Sequence, residues 1–173
     1  MNHSTIRGIA LAVAVPLAAA CSDDDDNLGA ATDFTATLSG SEEVPPVPTE
    51  ASGTALFTIA NNQITYTVNV NGVLNPVVSH IHIGAEGVNG PVRLNLCGTG
   101  APVPPCGTGE GVLVTGTNGT TVGTPPITFD DLVTAMRAGE TYVNVHTDDG
   151  VPPPNTGPGD MASGEIRGQI VAE

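Results

Sequence analysis

The chain contains no tryptophan and no lysine, and aromatic residues make up only 3% of its 173 positions. Any core must therefore rest on Val, Ile and Leu. Charged residues are also scarce at 13%, about half the usual share. The few basic ones are outnumbered, Lys plus Arg totalling 4 against 18 Asp plus Glu, for a formal net charge of -14. Such a chain repels a phosphate backbone, which excludes nucleic acid and anionic membrane surfaces as partners. Long apolar runs are missing too. The run Ile9 to Ala20 falls well short of the roughly 20 residues that cross a bilayer core. With 22 Gly and 15 Pro, long helices are excluded, and short strands joined by turns are expected in a single domain.

What is present begins with an address. Residues 1–20 carry Arg7, then the short apolar run, in the layout of a signal peptide. Leu17-Ala18-Ala19-Ala20-Cys21 resembles the lipobox of bacterial lipoproteins, in which the cysteine is diacylated and becomes the mature N-terminus. It departs from the commonest form in having Ala18 three residues before the cysteine. Simple secretion is the alternative. Ser22 resembles the sorting residue of lipoproteins sent to an outer membrane. Asp23 to Asp26 open an acidic tether over 21–33 that self-repulsion would extend. The expectation is a protein of the cell envelope, periplasmic or surface-facing, that meets a membrane through its lipid anchor only.

Cys97 and Cys106 remain as an even pair in an exported chain, which predicts a disulfide pinning a Gly/Pro-rich loop. Thiolate metal ligation is the rival, and the spacing is unlike a CxxC knuckle.

Period-two alternation starts at Phe34 and predicts about eight strands. Ala55 to Ile59 and Ile64 to Val70 flank Asn61-Asn62, a hairpin signal. The others are Phe34 to Ser39, Val77 to Ile83, Pro91 to Leu96, Gly111 to Thr115, Thr141 to Thr147 and Glu165 to Val171. One short helix is expected at Phe129 to Ala138, with Thr128 as N-cap, Asp131 completing a capping box and Gly139 as the stop. The pattern fits an all-β, immunoglobulin-like antiparallel sandwich.

Three histidines sit in strands. In Ser79-His80-Ile81-His82-Ile83 the alternation puts His80 and His82 on one face and the isoleucines on the other, and His146 follows the same rule against Val143 and Val145. If these strands and the last one are neighbours, three imidazoles converge on an outer face with Asn144, Glu165 and Arg167 as support. Imidazole suits copper or zinc. The competing expectation is a hydrogen-bonded polar network without metal. The acidic loop with Asp148, Asp149 and Asp160 lacks the spacing of an EF-hand and is expected to be solvated. No nucleophile elbow, phosphate-cradling GxxxxGK or HExxH helix is present, so hydrolase chemistry has no support.

Taken in order, Phe34-Thr35-Ala36-Thr37-Leu38-Ser39-Gly40, Glu43-Val44-Pro45-Pro46-Val47, His80-Ile81-His82-Ile83-Gly84, Asn89-Gly90-Pro91-Val92, Tyr142-Val143-Asn144-Val145-His146-Thr147 and Gly164-Glu165-Ile166-Arg167-Gly168-Gln169 resemble the CHRD domain, the module named after chordin. The resemblance covers 34–173 and departs in the loop that holds Cys97 and Cys106. It implies a β-sandwich displayed outside the cell and no established catalysis. The HIHxG and VNVHT strands are also similar to the copper-ligating strands of copper,zinc superoxide dismutases, sandwiches of the same general architecture. That likeness would make His80, His82 and His146 three metal ligands, although no bridging histidine or zinc loop follows. Two functions are therefore expected: a non-enzymatic binding or structural module for an unknown protein or small ligand, holding one copper or zinc ion if any, or a mononuclear copper redox enzyme.

Overall fold

The computed structural model describes Met1, residues 32–100 and residues 102–173. The expected leader, Cys21 and most of the expected acidic tether lie outside the described residues. The elements are β1 (Asp33–Ser39), β2 (Ser52–Ala60), β3 (Gln63–Asn71), β4 (Pro76–Ile83), β5 (Val92–Cys97), β6 (Gly111–Thr117), β7 (Thr120–Thr121), α1 (Phe129–Arg137), β8 (Thr141–Thr147), β9 (Ile166–Gln169) and β10 (Val171–Ala172). They form one antiparallel sheet in the order β6-β3-β2-β1-β9-β8-β4-β5-β7, with β10 added to β1.

The sheet curls on itself, so the sandwich is made by one continuous sheet rather than two. The phenol of Tyr66 on β3 donates to the Leu96 carbonyl on β5, 3.1 Å away, although five strands separate β3 from β5 in the sheet order. Between the two walls lie Phe34, Leu38, Phe57, Ile64, Val68, Ile81, Leu94, Val143, Val145 and Ile166, all at most 2% exposed. This aliphatic filling is what a Trp-free sequence requires.

Local signals hold at the turns and in the helix. Asn61 and Asn62 both take positive φ, 51° and 60°, as a two-residue hairpin joining antiparallel strands requires, and Ala60 pairs with Gln63 across it. Thr128 accepts the Asp131 amide at 3.1 Å and caps α1, whose Leu132, Val133 and Met136 are buried. Three details differ from the sequence pattern. The last strand is two short ones: β9 pairs with β8, Ile170 extends that contact by donating to the Thr141 carbonyl, and β10 pairs with β1. The two-residue β7 is added on β5. The fifth strand starts at Val92, after a proline that has no N–H to give the ladder.

Cys97 and Cys106 are bonded, with Cα atoms 4.9 Å apart, tying the end of β5 to the loop before β6. Removing both sulfurs with Cys97→Ser and Cys106→Ser should lower unfolding free energy by roughly 2.5–3 kcal/mol on the chain-entropy account. Urea denaturation measures this, and an unchanged midpoint would show that the loop is held without the bond.

Candidate metal centre

β8 is the strand that makes the site. Six of its seven residues are buried, and His146 is half-buried, so both faces of the strand are covered. One face carries Val143 and Val145 into the core. The other carries Tyr142, Asn144 and His146, and this polar face is the one that needs partners. The register supplies them: Tyr142 pairs with His82 and Gln169, and Asn144 with His80 and Arg167. His146 is two residues along from Asn144, so it stands diagonal to His80, within reach of long side chains.

The three histidines meet. The rings of His80 and His146 have centroids 5.0 Å apart, those of His80 and His82 5.7 Å, and those of His82 and His146 6.3 Å. Each offers a ring nitrogen, and the three nitrogens lie within 4.8 Å of one another. β-bulges flank His80 and His82 where β4 pairs with β5, a feature that bends a strand and re-aims its side chains.

Backbone carbonyls orient two of the rings. His82 Nδ1 lies 2.9 Å from the Gly90 oxygen, and His146 Nδ1 lies 2.9 Å from the Ala162 oxygen. A carbonyl only accepts, so both Nδ1 atoms carry the proton and both Nε2 atoms hold a lone pair. His146 Nε2 accepts from His80 Nδ1 at 3.2 Å. His82 Nε2 has no hydrogen-bond partner although His82 is 8% exposed. Burial, together with the neighbouring His146 and His82, lowers the pKa of His80 to about 4. Burial likewise pushes His82 and His146 below the ordinary imidazole range. All three are neutral at pH 7, the state in which imidazole ligates a metal.

The surrounding polar groups separate into two sets. Tyr142 stacks on His82 with centroids 4.7 Å apart and planes at 13°, and the Arg167 guanidinium carbon lies 3.4 Å from the Tyr142 centroid. Arg167, 2% exposed, donates to Asn89 Oδ1 and to the carbonyls of Ala85 and Val88, so it holds the loop after β4 rather than facing solvent. Asn144 donates to Glu43 at 2.8 Å. Glu165, by contrast, belongs to a separate knot: it accepts from Thr49, Thr147 and the Gly159 amide, and is turned away from the histidines. The alternation that grouped it with Arg167 fails because β9 begins only at Ile166.

Three loops cover the polar face. The segment after β1 brings Glu43, the segment after β4 brings Gly90, and the segment after β8 brings Ala162. Gly90 has no substitute, since a Cβ there would run into the Ile83 carbonyl. At Gly164, φ is +124° and a side chain would strike Asn144 and Glu43. Sequence reasoning missed the role of Glu43 and the two carbonyls. The signal for Glu43 was its EVPPV segment, but nothing local said that this segment folds back over β8.

An all-β domain that gathers three neutral histidines, one buried and two half-buried, under its own loops is the class these observations define. The family model for the CHRD domain matches residues 34–170, so the chain belongs to the CHRD family. No curated protein matches the chain.

Glu43 gives a pH test of this packing. Burial raises its pKa from 4.5 to about 7, against the lowering pull of Arg167. A carboxyl whose folded-state pKa is raised contributes stability below pH 4.5 that is lost as pH climbs through 7. Glu43→Gln keeps an oxygen for Asn144 and has no charge to bury. The stability of the variant relative to wild type should therefore grow between pH 4.5 and 8, by roughly 3 kcal/mol at most. Urea titrations of both proteins across that range test it, and a pH-independent difference would contradict the burial argument.

Proposed function

We propose that this domain is a non-enzymatic binding module of the cell envelope that holds one transition-metal ion, zinc or copper, through His80, His82 and His146. The observation that carries the reading is His82 Nε2, a buried lone pair without a partner, in a group whose three nitrogens lie within 4.8 Å. A buried nitrogen left unsatisfied costs free energy, and a metal ion removes that cost. The spacing suits the ion. Two nitrogens bound tetrahedrally to zinc at 2.0–2.1 Å stand about 3.3 Å apart, and His80 Nδ1 and His146 Nε2 are 3.2 Å apart. His80 would move its proton from Nδ1 to Nε2 to become a ligand there. The carbonyls of Gly90 and Ala162 supply the outer hydrogen bonds that fix tautomer and ring plane in metal-bound histidines.

Titration of the mature protein with zinc and with copper, read by elemental analysis, should give one equivalent. His80→Ala, His82→Ala and His146→Ala should each reduce affinity by more than the ~10-fold that loss of an outer-shell partner already costs. No stoichiometric uptake by the folded wild type would sink the metal reading and the copper redox alternative with it, leaving the polar network.

Export and lipidation complete the proposal. The disulfide suits an oxidising compartment, and among the described residues no helix is long and apolar enough to cross a membrane. Attachment would then fall to Cys21. Cys21→Ser should abolish incorporation of radiolabelled palmitate and move the protein from the membrane to the soluble fraction, whereas a wild type that takes up no label would point to plain secretion.

A further inference from the structure

The loop between β8 and β9, residues 148–165, is exposed over residues 148–156, as its sequence suggests, but one of its three aspartates is not. Asp160 is 3% exposed. Its Oδ2 accepts from both the amide and the hydroxyl of Thr156, at 3.0 and 2.7 Å, while its Oδ1 is buried with no hydrogen-bond partner. The Thr156 hydroxyl and amide hold this carboxyl below the ordinary range, so it is ionised at neutral pH. The Asp149 amide adds a smaller pull in the same direction, yet Oδ1 makes no hydrogen bond of its own, and an anionic oxygen so placed out of water calls for an ion or a water. Two further carboxylates stand beside it: Asp148, Asp149 and Asp160 each offer an oxygen, and these oxygens lie within 4.8 Å of one another. No lysine exists in this chain to neutralise them.

We propose that Asp148, Asp149 and Asp160 form a calcium site, distinct from the histidine centre. The donors are all hard oxygens, which calcium takes and which leave zinc and copper to the imidazoles. Rigidity separates calcium from magnesium: calcium takes about six to eight oxygens in a flexible shell, as carboxylates carried on a loop can offer, whereas magnesium demands a near-ideal octahedron and gives up its waters reluctantly. The Asp148 and Asp149 carboxylates are already fixed by the amides of Gly150 and Val151, each at 2.7 Å, and waters would complete the shell on the open side. The site sits on a segment with work elsewhere. The same loop sends the Gly159 amide to Glu165 and the Ala162 carbonyl to His146. Calcium would hold the covering loop in the place where it orients a histidine.

The test uses the full mature chain, stripped of metal, with calcium chloride as the probe. Calorimetry should show one equivalent bound with a dissociation constant of roughly 10⁻⁴–10⁻³ M, the range of extracellular modules. The melting temperature should rise by about 5–10 °C when calcium exceeds that constant 100-fold. The Asp148→Asn, Asp149→Asn double variant changes exposed positions whose amide contacts an asparagine can keep. It should fold with the wild-type circular dichroism and lose both responses, as should Asp160→Asn. The proposal is overturned by any of three results: no calcium response in the wild type at roughly 10 mM, an equal response in the double variant, which would move binding to the aspartate run at residues 23–26, or an equal response to magnesium. His82→Ala should keep the calcium response, which separates failure of this site from failure of the histidine reading.

Discussion

Strand β8 is buried on both faces with side chains of opposite character, and the rest of the architecture answers that constraint. Val143 and Val145 need only the apolar interior. Tyr142, Asn144 and His146 need donors, acceptors and covering groups that a strand cannot supply to itself. Pairing with β4 and β9 places His80, His82 and Arg167 on the same face, and three loops then close over it. A protein with two tyrosines and four arginines places one of each, Tyr142 and Arg167, in a single contact here. In water an exposed cation–π pair contributes little, whereas a desolvated one is worth about 2 kcal/mol.

The chemical character of the face follows from the same burial. Desolvation disfavours the charged form of each titratable group, so the histidines lose their protons and Glu43 tends to keep its own. A cluster of three imidazoles can pack closely only when neutral, because three positive rings within hydrogen-bonding range would repel. Neutral rings held by carbonyls at Nδ1 have their lone pairs directed inward, and this holds whether the pocket carries an ion or a relay of hydrogen bonds.

The covering loops are more than lids. The segment after β8 carries both a carbonyl aimed at His146 and a cluster of carboxylates, and Glu165 at its end anchors Thr49, Thr147 and Gly159 together. A change that disorders this segment removes the carbonyl that orients His146, and with it the bonds that join Met161 and Glu165 to Thr147 on β8. The short segment after β4 acts similarly through Gly90, whose carbonyl accepts a hydrogen bond from His82 Nδ1 and whose amide donates to the Tyr142 hydroxyl.

The strands, the Asn61-Asn62 hairpin, the capped helix, the disulfide pair and the sidedness of His80, His82 and His146 were legible in the residues themselves. Each depends on local rules, namely the two-residue period, turn conformations, capping and cysteine count, and local rules act within a few residues. It took the folded chain to show that one sheet curls into both walls, that Glu43 folds over Asn144 a hundred residues away, that Arg167 turns to Tyr142 while Glu165 bonds Thr49, Thr147 and Gly159, and that Asp160 is buried. These are matters of strand order and loop path. They are fixed by which distant surfaces bury each other, a choice made by the whole chain that no short window of residues encodes.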